Sequence, residues 1–205
     1  MADLPIDLED GLSERLARAL DVEAKIPRAL EALGPVAGRD VLLLDGADGI
    51  RARQLAELGA RVSFAAANGP AGIDAPDAAA DVLLSIWSSF RGFEPSESAA
   101  AARVLRPDGR LLVLLDYGRD DVSRLRGDLS EYGLLSRRDG PYLRGGFKVR
   151  VVHCFWTFES QEETATFLDD AFGGVGRDVA TGLKRPRLSY NVAVYHRGFG
   201  SQGRA

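Results

Sequence analysis

The sequence has very little of the residues that metal centres and disulfide scaffolds are built from. It contains one cysteine and two histidines in 205 residues. No internal disulfide can form, which fits a reducing compartment, and no Cys/His set can hold zinc. It also lacks an excess of positive charge: 26 Lys and Arg stand against 30 Asp and Glu, for a net charge of −4. A broad basic face for nucleic acid is therefore not expected. No apolar run reaches the roughly 20 residues that a membrane span needs. The first residues, Met1 to Asp7, are acidic and do not read as a signal peptide. Together these absences point to a cytoplasmic chain with no membrane and no nucleic-acid partner. A Gly-x-Ser-x-Gly nucleophile elbow is missing as well.

What is present is apolar residues, 45% of the chain, in short separated runs. Leu12, Leu16 and Leu20 share a helical face. Pro27 suits the first turn of a second helix, which carries Leu30 and Leu33 and stops at Gly34-Pro35. Residues 40–45, Asp-Val-Leu-Leu-Leu-Asp, read as a strand buried on both faces, as in a parallel sheet. A loop at Gly46 to Gly49, a helix over 50–58 and a strand over 61–66 complete a βαβ unit. Residues 68–80 read as mostly irregular, with room for at most a short third strand. Strands are expected at 81–87 and 110–116, with a helix at 96–105 and a turn at Arg106-Pro107-Asp108-Gly109 between them. A helix is expected over 121–132 on the spacing of Val122, Leu125, Leu129 and Tyr132.

Beyond this the pattern changes. Residues 134–146 read as a polar loop, and 147–158 as a strand rich in aromatic and β-branched residues. Ser160 with Glu163 forms a capping box for a helix that ends near Gly173-Gly174. Residues 188–196 form a last strand. The expected organisation is N-terminal helices at 1–36 packing on the core, one domain at 37–197 and a disordered tail at 198–205.

Three local motifs in this order resemble the class I S-adenosylmethionine-dependent methyltransferases. Residues 41–49 with Leu58-Gly59-Ala60-Arg61-Val62 match the first strand, glycine loop and second strand of that family. Residues 81–87 look like its fourth strand, and residues 104–111 like the Leu-x-Pro-Gly-Gly turn before its fifth. The resemblance covers residues 33–116 closely and the later elements in order only. It implies a Rossmann-like α/β fold: a mostly parallel sheet, helices on both faces and a C-terminal antiparallel strand. It also implies an S-adenosylmethionine cofactor and methyl transfer to a small-molecule substrate. The family's acidic-x-Gly-x-Gly-x-Gly loop falls on Leu43, Asp45, Ala47 and Gly49. The acid that grips the ribose at the end of its second strand falls among Ala65, Ala66 and Ala67.

Ligands of open parallel sheets bind outside the C-terminal strand ends. That places Asp45, Gly46, Ala47, Asp48, Gly49, Ala66, Ser85 and Trp87 as cofactor-site candidates, with turn capping and core packing as the plainer roles. Asp116, Tyr117 and His153 are the candidates for proton transfer. Capping by Asp120 or Asp121 with an Asp–Arg pair accounts equally well for the polar cluster at 116–121. His153 and Cys154 are adjacent on a strand, so they point to opposite faces and form no dyad. Arg137, Arg138, Arg144, Lys148 and Arg150 either steer an anionic substrate or form a solvated loop. A non-catalytic binding or dimerisation module on the same scaffold is the alternative function. A homodimer would use Ala99 to Ala102 and the strand Phe155 to Phe158. A nicotinamide-dependent oxidoreductase ranks lowest, since no Gly-x-Gly-x-x-Gly is present.

Overall fold

The computed structural model describes residues 4–69, 72–127, 129 and 131–200. Residues 1–3 of the acidic N-terminus and 201–205 of the expected tail lie outside them. Helices α1 (Asp10–Ala19) and α2 (Lys25–Leu33) come first. Then follow β1 (Asp40–Leu44), α3 (Ile50–Glu57), β2 (Arg61–Ala65), β3 (Ala80–Ile86), α4 (Pro95–Val104) and β4 (Leu105–Asp116). The C-terminal part adds α5 (Asp121–Leu125), α6 (Pro141–Arg144), β5 (Lys148–Thr157), α7 (Gln161–Gly182) and β6 (Arg187–Phe199).

The six strands form one sheet in the order β2-β1-β3-β4-β6-β5. The first four are parallel, and β6 runs antiparallel to both its neighbours. Alternation along the strands divides the core in two. Leu43, Leu84, Leu112 and Val192 face Leu16, Leu30, Leu55 and Phe167, from α1, α2, α3 and α7. Leu42, Leu83, Val113 and Ala193 face Ala101, Val104 and Tyr142, from α4 and α6. With helices on both faces, the central strands are apolar along most of their length, in Val41 to Leu44 of β1, Val82 to Leu84 of β3 and Leu111 to Leu115 of β4. The fold is the expected Rossmann-like α/β architecture. No helix among the described residues is long and apolar enough to cross a membrane.

Several details differ from the sequence expectation. The helix expected over 121–132 ends at Leu125, because Gly127 takes a left-handed φ of 88° and the Arg126 side chain turns to Asp116. Leu129, assigned to a buried face, is 41% exposed. The 134–146 loop contains α6, whose Tyr142 is completely buried. α7 breaks where expected, at Gly173 (φ 59°, ψ −134°), but then resumes and runs to Gly182. The turn at 106–109 sits inside β4 as an irregularity of the β3–β4 pairing, with Asp108 at φ 64°. Gly198 and Phe199, assigned to the tail, extend β6 and pair with Arg110 and Gly109. In the region after β2 the described residues contain no third strand, only the single bridge Ala67 to Ile73, and β2 is a sheet edge with Phe64 43% exposed.

Candidate functional site

The C-terminal ends of β1, β2, β3 and β4 converge on one rim of the sheet. Two residues there, Asp45 after β1 and Trp87 after β3, hold left-handed backbones at φ 52° and 46°. Such a φ suits glycine; Asp tolerates it and Trp rarely adopts it, so the surroundings must hold both in place. They do. The Asp45 N–H donates to Ala65 O at 2.9 Å, and the Trp87 N–H to Leu114 O at 3.0 Å.

The Asp45 carboxylate spans the gap between three strand ends. One oxygen accepts from the Ala67 N–H at 2.8 Å and the other from the Ser88 hydroxyl. Gly46 approaches the core so closely that a Cβ would lie 2.5 Å from Leu43 Cγ. Leu43 is fully buried, so the position that carries an acid in the resembling family is part of the apolar core here. The Gly49 N–H turns back to Ala47 O at 2.7 Å, and Gly49 precedes α3 without a side-chain cap. Asp48 is exposed, and Ala66 is exposed with its carbonyl taken by the Asp74 N–H at 3.1 Å. Ser85 is buried and donates to Phe90 O at 2.6 Å, which fixes the loop after β3 from beneath. The loop residues Asp45 to Gly49, Ala66 and Trp87 thus share the rim, whereas Ser85 lies in the core below it.

Asp116 ends β4 on the α7 side of the sheet. Its carboxylate accepts from the Trp87 indole N–H at 3.0 Å, from the Tyr190 hydroxyl, from the Arg126 guanidinium, and more weakly from the Tyr132 hydroxyl at 3.4 Å. Burial and the neighbouring carboxylate push Tyr132 up to about 12, and burial raises Tyr190 as well, so both phenols stay protonated as donors. Arg51, in the first turn of α3, is buried with its guanidinium 5.4 Å from the Trp87 ring centre.

Tyr117 and His153 lie elsewhere. Alternation puts Tyr117 on the opposite face from Asp116, half-buried against the α4-side core. His153 stands exposed on β5 with Nδ1 2.7 Å from Asn191 Oδ1. The Asn191 amide in turn donates to Gly118 O and Arg119 O, each at 3.3 Å. Asp120 is buried and accepts from the N–H groups of Ser123 at 2.7 Å and Asn191 at 2.8 Å. Burial raises its pKa above the ordinary carboxylate value, against those hydrogen bonds. Asp121 accepts from the Ser189 N–H at 2.9 Å and pairs with Arg124 at 3.5 Å. The 116–121 cluster is therefore a set of caps, an Asp–Arg pair and strand-to-loop ties. Asp116, Tyr117 and His153 do not meet around one reacting atom. Ser88 falls in the strand-end segment Ser85 to Ser89 that the sequence places at the rim, but nothing local marks Tyr190 or Asn191, whose partners Asp116 and Asp120 lie more than seventy positions away. Among the described residues no group of three or more metal-ligating side chains occurs.

No protein-family model and no curated protein matches the chain. Solved structures do. A candidate type II methyltransferase from Anaeromyxobacter dehalogenans aligns with a TM-score of 0.52 at 18% identity, over 86% of this chain and 97% of that one. A candidate methyltransferase from Bacillus halodurans aligns at 0.46 and 13% identity, over 86% and 99%. A phosphoethanolamine N-methyltransferase from Haemonchus contortus, bound to phosphomonomethylethanolamine and S-adenosylhomocysteine, aligns at 0.45 and 15%, over 82% and 52%. This chain has the fold of the class I S-adenosylmethionine-dependent methyltransferases.

Proposed function

We propose that this chain is a methyltransferase-fold protein that works as a binding scaffold and not as a methyl-transfer catalyst. The Asp45 carboxylate carries the reading. It stands at the first glycine position of the resembling family's loop, and both its oxygens are engaged by Ala67 and Ser88 across the crevice where ligands of open sheets lie. The other residues agree. The end of β2, Ala65 to Ala67, offers no carboxylate to a ribose, and buried Leu43 offers none to an ammonium group. The residues present do not fit S-adenosylmethionine through the contacts the family uses. Asp116, the one carboxylate at the end of β4, is already engaged by four donors.

One observation favours the catalytic reading, a small-molecule methyltransferase. The loop after β1 keeps a left-handed turn at Asp45, as a tight strand-to-helix loop around a cofactor requires. Calorimetric titration with S-adenosylmethionine and S-adenosylhomocysteine separates the two. The scaffold reading expects no heat from the natural protein at about 1 mM ligand. Binding in the micromolar range, on the order of −8 kcal/mol, would abandon it for the catalytic one.

A further inference from the structure

β5 is the last strand of the sheet, and most of its outer edge is uncovered. Residues on one side of a strand alternate, so the residue whose backbone is known to point outward sets the pattern. That residue is Phe155, whose carbonyl accepts from the Asp21 N–H at 3.0 Å, beside the antiparallel bridge Leu20 to Trp156. Leu20 and Asp21 thus already add a short piece of strand to this edge. The chain then turns away into α2, because the Asp21 carboxylate caps that helix through Lys25 N at 3.0 Å and Ile26 N at 2.7 Å. The outward N–H and C=O groups of Val149, Val151 and His153 continue the edge over about 13 Å, at ~3.3 Å per residue. They have no backbone partner among the described residues.

Beside this edge runs a groove of about 440 Å³ between α2 and residues 150–153. Ala29, Ala32 and Leu33 form its apolar wall, on one stripe of α2. Its charged lining residues are all basic, Lys25, Arg28 and Arg150, of which Lys25 is already paired with Glu23 at 2.6 Å. Arg150 has no ion pair among the described residues, and Arg28 donates only to a backbone carbonyl, that of Glu23. Lys148 adds a further exposed cation on the same strand. This local excess of positive charge sits on a chain whose net charge is −4. A second copy of the chain would bring two such clusters together, so like-charge repulsion opposes strand-to-strand dimerisation here.

We infer that the β5 edge and the α2 groove form a docking site for an extended acidic segment of a partner protein. The segment adds as a strand through backbone hydrogen bonds to Val149, Val151 and His153. Its acidic side chains, at alternate positions, reach Arg28 and Arg150. The site lies across the sheet from Asp45, so it stands whether or not the crevice binds S-adenosylmethionine.

The test is fluorescence anisotropy with a labelled peptide of about nine residues alternating Glu with Val or Thr, and a control peptide with Lys in place of Glu. The natural protein is expected to bind the acidic peptide and not the Lys peptide. The double variant Arg28→Glu/Arg150→Glu should weaken binding at least tenfold. Val151→Pro removes an outward N–H without changing charge and should weaken it about tenfold, since an edge strand tolerates proline. Circular dichroism checks that each variant folds; if Val151→Pro does not, the double charge variant decides. Three results would overturn the inference: no binding at about 1 mM peptide, equal binding of the Lys peptide, or full binding by folded Val151→Pro. A concentration-dependent dimer of the natural protein that Val151→Pro abolishes would overturn it too, and would make a second copy the occupant.

Discussion

The Trp87 indole N–H donates to the Asp116 carboxylate at 3.0 Å, joining the end of β3 to the end of β4. The bond helps hold Trp87 in its left-handed backbone conformation and makes Asp116 a shared acceptor for four side chains. A carboxylate placed in this way is a structural anchor for the rim.

The consequence is measurable in stability. Asp116→Ala leaves the buried Tyr190 hydroxyl and the largely buried Arg126 guanidinium without their acceptor. Removing one partner of such an arrangement costs about 3 kcal/mol, far more than an exposed ion pair is worth. Urea unfolding should show a lower midpoint with an unchanged slope. A loss below about 1 kcal/mol would mean that Asp116 does not anchor the rim.

Tyr142 predicts the opposite sign. It is fully buried, stacked on Tyr195 with ring centres 3.8 Å apart and flanked edge-on by Phe93 and Phe147. Its hydroxyl has no hydrogen-bond partner among the described residues. Burial is the main cause that drives its pKa up, so it stays neutral. Tyr142→Phe keeps the ring contacts and removes an unsatisfied polar atom, so stability should hold or rise by about 1 kcal/mol. Thermal unfolding checks it; a clear drop in melting temperature would show that the hydroxyl has a partner.

His196 gives a pH dependence. Burial lowers its pKa below the ordinary 6.5, helped by Arg110 and Lys148. The unfolded chain therefore binds more protons than the folded one as pH falls through 6.5. The stabilisation is present above that value and is lost as pH falls from it toward the folded pKa. Unfolding at about pH 7.5 and 5.5 should show this loss in the natural protein, and a shallower loss in His196→Gln. Identical slopes in the two would remove His196 as a contributor.

Local sequence was enough for the elements whose signal is local. The apolar run at 41–44 is buried on both faces because helices cover both sides of β1. Ser160 accepts from the Glu163 N–H at 3.0 Å because a cap needs only its own first turn. The loop at Asp45 to Gly49 fell at a strand end for the same reason, since a strand, a turn and a helix follow in nine or ten residues.

Only the tertiary structure decided the rest. Val122, Leu125, Leu129 and Tyr132 have helical spacing, yet the helix stops because Arg126 and Tyr132 both turn toward Asp116 and Gly127 permits the left-handed turn. Tyr142 lies in a stretch that reads as polar loop, and its burial comes from Tyr195 on a strand more than fifty residues later. Asp45 could have met a ligand or a neighbour; the closing of β1, β2 and β3 side by side gave it Ala67 and Ser88. Periodicity along a chain reports which face is buried, because burial repeats with the backbone. The partner of a polar side chain is set by which strands become neighbours, and that order is fixed only when the sheet assembles.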